Sequence, residues 1–130
     1  MIHVDAKRPQ PHVIPSTAPY WAAAAEDRLE LPRRGGTAWE PYPRPGTGAD
    51  YDWAETSTTG TVYTFSIMQF SPYDDLPAPF VVGLVQLDDG PRVMTNIVEI
   101  EPNEVTIGMK VEFTFIDLGD NRLPVFRPAT

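Results

Sequence analysis

"FVVGLVQLDDGPRVMTNIVEI", Phe80 to Ile100, sets two runs rich in Val, Leu, Ile and Met on either side of Asp88-Asp89-Gly90-Pro91. β-Branched and large apolar side chains suit a pleated sheet, and Asp, Gly and Pro supply turn chemistry. The stretch predicts two strands joined by a tight turn. Upstream, "GTVYTFSIMQF" (60–70) has the same β-branched and aromatic texture and predicts another strand. Between them "SPYDDLPAP" (71–79) is a loop, forced by Pro72, Pro77 and Pro79. Downstream, Pro102 and Glu104 of "EPNEVTIG" (101–108) can start one helical turn. "KVEFTFIDL" (110–118) alternates, with Val111, Phe113 and Phe115 on one face and Glu112 and Thr114 on the other. "RLPVFRPAT" (122–130) predicts a short final strand limited by its prolines.

Strands at this spacing, with a turn signal after each, predict a small closed or nearly closed antiparallel barrel. An OB-fold and an SH3-like barrel both fit. The "EPNEVTIG" connection lies where OB-folds often put a helix, which favours the OB-fold.

The N-terminal half has a different texture. Residues 1–16 are Pro-rich and polar and predict an extended arm. "STAPYWAAAAEDRLEL" (16–31) predicts a helix of about three turns. Ser16 or Thr17 would cap it, and Pro19 suits its first turn. Tyr20, Trp21, Ala24 and Ala25 would share its buried face, and Asp27 or Arg28 would end it. "RLEL" then predicts a short strand closed by Pro32. From Leu31 to Trp53 the sequence has no sustained apolar periodicity, only prolines, glycines and scattered aromatics. Such a knuckle is usually held by a metal, yet the chain contains no cysteine.

Composition narrows the function classes. A chain of 130 residues can bury a real core without staples. Its net charge is −8, from 10 Lys+Arg against 18 Asp+Glu. Lysine is confined to Lys7 and Lys110, and arginine is dispersed except for Arg33-Arg34, so there is no basic stripe for a nucleic-acid backbone. No run approaches the ~20 apolar residues of a membrane span, and the N-terminus lacks an apolar signal region. The expectation is a soluble, cytoplasmic protein.

Taken in order, "APYWAAAAEDRLEL", "YPRP", "GTVYTFSI", "VVGLVQLDDGPRVMTNIV", "IGMKVEFTF" and "LPVFRPA" resemble one known family. It is the acyl-CoA-associated proteins that join an N-terminal helix, a rubredoxin-like zinc ribbon and a C-terminal OB-fold. The match covers nearly the whole chain from about Lys7. It implies a mainly β protein in three parts: an arm (1–16), a helix with a ribbon segment (17–55) and a five-stranded OB barrel (56–130). The family's ribbon carries two C-x-x-C knuckles, whose slots fall here at Arg34 and Thr37 and at Thr47 and Asp50. Together Arg, Thr, Thr and Asp do not make a structural zinc site, which takes thiolate or imidazole in tetrahedral geometry. His3 and His12 lie outside the segment and cannot rebuild the site. The resemblance therefore implies a degenerate ribbon without metal or other cofactor. Trp39, Tyr42, Tyr51 and Trp53 are available to replace the metal with an apolar cluster, and an Arg34–Asp50 ion pair could cross the former site.

Members of the family are mostly accessory subunits of thiolase-superfamily enzymes or of hot-dog-fold acyl-CoA hydratases, some of them in steroid side-chain degradation. The implied partner is such a protein, and the implied ligand a CoA thioester, with neither nucleic acid nor membrane. A pantetheine arm could run along the loop framed by Phe70, Tyr73 and Phe80, with Arg92 and Asn96 on the adjacent sheet. Trp39, Tyr42, Phe126 and Arg127 are the expected contacts with the partner. The bland alternatives are a loop packed on the ribbon and a tail that merely closes the barrel.

The residues themselves show no self-sufficient catalytic constellation. His3 and His12 read as exposed arm histidines, and Asp74-Asp75 as solvated loop carboxylates. Asp88-Asp89-Gly90 reads as turn chemistry, and Ser57, Thr58 and Thr59 lack an evident base. Two other function classes stay open at this point: a stand-alone OB module for single-stranded nucleic acid, and a small enzyme using Asp74 or Asp75.

Overall fold

A computed structural model describes residue 8 and residues 10–34, 38–40, 51–119 and 121–129. The elements run α1 (Ala18–Ala25), β1 (Glu30–Arg34), β2 (Ala38–Trp39), β3 (Tyr51–Glu55), β4 (Thr59–Met68), β5 (Phe80–Leu87), β6 (Arg92–Ile97), a 3-10 turn (Pro102–Glu104), β7 (Lys110–Asp117) and β8 (Arg122–Pro128). The strands form a three-stranded sheet, ordered β2-β1-β3, and a closed barrel, ordered β4-β5-β6-β8-β7. All pairings are antiparallel except β6 with β8, which is parallel. That order and that one parallel pairing are the OB topology rather than the SH3-like one.

Alternation makes the barrel. On β5, Val81, Gly83, Val85 and Leu87 are buried and face inward, and Val93 and Ile97 of β6 join them. β4 slips register between Val62 and Thr64, so Tyr63 stands in a bulge and turns outward, half exposed. Gly60 lies where β4 pairs with both β5 and β7. The predicted helical turn at Pro102 is present as the 3-10 turn.

The helix is shorter than the about three turns that the Ala run implies. It stops at Ala25 because Asp27 adopts the left-handed conformation, φ 63°. The amides of Asp27 and Arg28 then donate back to the carbonyls of Ala24 and Ala23, the double bond of a Schellman ending. Ala23 and Ala24 are buried with Tyr20 and Trp21, while Ala25 is exposed. Thr17 occupies the N-cap position but does not cap; its hydroxyl donates to the Ile14 carbonyl instead. Asp27 pairs with Arg122 at 2.5 Å, which ties the helix end to β8.

Pro32 does not close β1. Its position opposite Trp53 spends no amide, and its carbonyl accepts from the Glu40 amide, so the strand runs on to Arg34. β3 alternates only over Tyr51, Asp52 and Trp53, too short a pattern to be legible in the sequence; it forms by pairing along the whole of β1.

The helix and β1 close the barrel where it is weakest. β6 and β8 share a single register pair, Ile97 with Phe126. Tyr20, Leu29 and Leu31 pack into that seam against Val93, Thr95 and Phe126, leaving a cavity of about 10 Å³, room for one water at most. One apolar core therefore runs through the helix, β1 and the barrel.

Candidate functional site

The ribbon segment is held by charge and rings. Arg33 on β1 donates to Asp52 on β3 at 2.7 Å, and its guanidinium lies 5.2 Å from the Trp39 ring centroid. Tyr51 donates to Glu40 at 3.1 Å, and Trp39 and Trp53 pack against the core. The Arg33–Asp52 pair braces β1 against β3; the expected Arg34–Asp50 pair involves Asp50, which lies outside the described residues. Thr37, Thr47 and Asp50, three of the four former ligand slots, and Tyr42 lie outside the described residues, as does His3. Among the described residues no group of His, Asp and Glu is placed to hold a metal ion.

The hydrogen bond from Arg33 holds the Asp52 carboxyl below its ordinary value, with partial desolvation opposing. A depressed carboxylate stabilises the fold above its unfolded pKa, and the gain is lost as pH falls through the lower, folded pKa. Asp52 should accordingly titrate below the usual aspartate range by carboxyl-carbon NMR and return to it in Arg33→Gln. An unchanged titration would mean that the pair does not form in solution.

The turn carboxylates do more than turn. Asp89 accepts from the Ser57 amide at 2.6 Å, and Asp88 accepts from the Thr59 hydroxyl. They clamp the β5–β6 hairpin to the junction between ribbon and barrel. The Ser57 hydroxyl donates to the Thr59 carbonyl and the Thr59 hydroxyl to Asp88, so neither is free as a nucleophile reading would need. Asp75 is likewise engaged: its carboxylate accepts from the Arg8 amide at 3.0 Å, while the Arg8 guanidinium donates to its carbonyl at 3.1 Å. It pins the arm to the loop. His12 is exposed in that arm.

Three rows of side chains cross the outer face of β4, β5 and β6. They are Thr64–Leu84–Met94, Ser66–Val82–Asn96 and Thr61–Gln86–Arg92, with Met68 opposite Phe80 at the edge. A groove of about 330 Å³ runs between them, lined by Thr64, Ser66, Met68, Val82, Leu84 and Met94. At one end the Arg92 guanidinium sits 3.7 Å from the Tyr63 ring centroid, and its Nε donates to Gln86 at 3.0 Å. At the other end Phe70 is 60% exposed. Met94 is 70% exposed.

The expected ligand residues do not converge. Phe70 stands out to solvent, Tyr73 is half-buried in the loop and Phe80 is half-buried at the start of β5. Asn96 donates to the Val81 carbonyl at 2.9 Å. Arg92 lies at the far end of the face, on Tyr63. A second hollow of about 310 Å³, between Ile67, Gln69 and Pro79 and the 3-10 turn, is lined by none of the five. Tyr63 is what the sequence reading missed; Met68 and Met94 read from the sequence as core or interface side chains, and both stand exposed on this face. The available signal was β5 itself, apolar at both parities, which marks a strand with two faces to cover.

The expected partner contacts divide. Trp39 is partly buried under Arg33. Phe126 is not on a tail: it is 1% exposed within β8, with no ring surface to offer a partner, because it fills the β6–β8 seam. Arg127 is part-exposed and reaches Glu99 at 3.3 Å and Glu112 at 3.4 Å.

Residues 53–115 match the family model described as the ChsH2 C-terminal OB-fold domain. A solved chain described as "Ltp2-ChsH2(DUF35) aldolase" superposes with a TM-score of 0.78 at 33% identity, covering 93% of this chain and 100% of that one. The chain belongs to the ChsH2/DUF35 OB-fold family. It is also 35% identical over 130 residues to the "probable enoyl-CoA hydratase alpha subunit" of Thermomonospora curvata, aligning over 95% of this chain. Identity is 28% over 116 residues, 86% of this chain, to the "3-oxo-4,17-pregnadiene-20-carboxyl-CoA hydratase alpha subunit" of Mycobacterium tuberculosis. A "DUF35 domain-containing scaffold protein" of Methanocaldococcus jannaschii is 36% identical over 67 residues, 51% of this chain and 48% of its own. The chain spans 41% and 37% of the length of the two hydratase subunits. Within the family, this ribbon has no cysteine with which to bind zinc.

Proposed function

We propose that this chain is a non-catalytic accessory subunit of an acyl-CoA-processing complex in the cytoplasm. Its partner is a thiolase-like aldolase or thiolase, or a hot-dog-fold acyl-CoA hydratase. It stabilises the complex and helps to seat the CoA thioester, in steroid side-chain or other acyl-CoA degradation. The observation that carries this reading is the likeness to the whole of a solved chain from an aldolase assembly. The names of the two hydratase alpha subunits support the same class of substrate. The chemistry of the site agrees: the hydroxyls of Ser57 and Thr59 and the carboxylate of Asp75 all hold structure together. A nucleic-acid role fits less well, since the three outer rows of the barrel face carry one cation in a chain of net charge −8.

The test is purification of the untagged chain from its native host, followed by co-expression with the thiolase-like or hydratase protein that accompanies it. The pair should co-elute in size-exclusion chromatography. The isolated chain should turn over no CoA thioester, and the partner alone should be poorly soluble or poorly active. A partner that is fully active alone and never co-elutes would defeat the reading.

A further inference from the structure

We infer that the outer face of β4, β5 and β6 is the surface that docks the catalytic partner, through Tyr63, Arg92 and Met94 and the groove beside them. The inference rests on the accessory-subunit reading and adds to it the place of contact and the chemistry of the partner's surface.

Three observations carry it. β5 is apolar on both faces, as strands are when both sides are covered, yet Val82 and Leu84 meet only the open groove. The large apolar side chains around them are exposed, Met94 at 70%, Tyr63 at 49% and Met68 at 40%. Finally, none of the rows contains Asp, Glu or Lys, although the chain has 18 acidic residues. Aromatic, Met and Arg side chains without Lys, Asp or Glu are the composition of an interface core.

Charge selects the occupant. Arg8, Arg28, Arg33, Arg122 and Arg127 each pair with a carboxylate. Arg92 has no carboxylate partner among the described residues; it is held by the Tyr63 ring and Gln86, with its charge facing outward. A second copy docking face to face would offer Arg92 no carboxylate, since none of the rows carries one. The fitting occupant is a different chain that presents an apolar ridge for the groove and a carboxylate for Arg92. A single cation gives little hold on a phosphate backbone.

The experiment uses the full chain with the thiolase-like or hydratase protein that co-purifies with it. Met94→Asp and Arg92→Glu should each weaken co-elution on the order of tenfold to a hundredfold, as buried anchors do, while the melting temperature stays at the wild-type value. Met94 of the wild type, followed by mass spectrometry under dilute peroxide, should oxidise quickly in the free chain and slowly in the complex. This readout needs no variant to fold. Wild-type co-elution with both variants binding normally, or Met94 oxidising equally fast in the complex, would overturn the docking face and leave the accessory role standing. No co-elution of the wild type would overturn the accessory role and this face with it. Two further results would reassign the surface. One is an isolated chain that is dimeric by sedimentation and made monomeric by Met94→Asp, which would give the face to a second copy. The other is decanoyl-CoA binding by the isolated chain that Met94→Asp abolishes, which would give it to the acyl ligand.

Discussion

Gly60→Ala should cost the barrel roughly 3 kcal/mol, the upper end of ordinary overpacking. A Cβ at Gly60 would stand 2.3 Å from the Gln86 carbonyl oxygen, with the neighbouring Cα of Leu87 at 3.0 Å. Both are backbone atoms of β5, so no rotamer change relieves the clash. β4 is also paired with β7 at this residue, which blocks retreat to the other side. Two sheet pairings must therefore part or bend to admit one methyl group. Gly108→Ala is the natural comparison. Its φ is 89° but nothing lies within 4 Å of the added atom, so only the backbone cost applies, ~1–2 kcal/mol. Urea denaturation followed by tryptophan fluorescence separates the two, and a Gly60→Ala midpoint at or above that of Gly108→Ala would show that the strands do not approach so closely.

Phe126→Ala should lose about 3–5 kcal/mol, the range for emptying a buried aromatic position. The ring is 1% exposed and sits where the barrel has least hydrogen bonding, between β6 and β8. Tyr20, Leu29 and Leu31 reach the same cavity lining from the helix and β1. Removing the ring therefore loosens three elements at once, and the remaining void is too apolar to be stabilised by water. The sequence reading gave Phe126 to a partner interface, and the two roles separate cleanly in an experiment. A seam residue lowers the melting temperature of the chain by itself. A Phe126→Ala chain that melts like the wild type and only loses its partner would restore the surface role.

How much was legible follows from where the information sits. The hairpin around Asp88-Asp89-Gly90 and the alternation of 110–117 are local patterns, and both appear as strands where the sequence places them. The order of the segments was sufficient to bring out the resemblance to the helix, ribbon and OB family. The missing cysteines were plain, as was the consequence that Arg, Thr and Asp do not bind structural zinc. The helix was found too long because Ala propensity says nothing about the left-handed Asp27, whose conformation is fixed with its Arg122 partner 95 residues away. β3 was invisible because its five residues are strand only by pairing with β1.

The site divides in the same way. The sequence by itself determined which side chains exist: strands free of Asp and Glu at β4, β5 and β6, an absence of basic stripe, an absence of thiolates. Only the tertiary structure decided their company. It buried Phe126 by curling β8 against β6, and it set Arg33 opposite Asp52 through the β1–β3 register. It also gathered Tyr63, Arg92 and Met94 by bulging β4 at one residue. Faces of a strand alternate with every residue, so a single-residue shift reverses what is inside and what is outside. Composition cannot carry that information, because register is a relation between strands and is settled only when they pair.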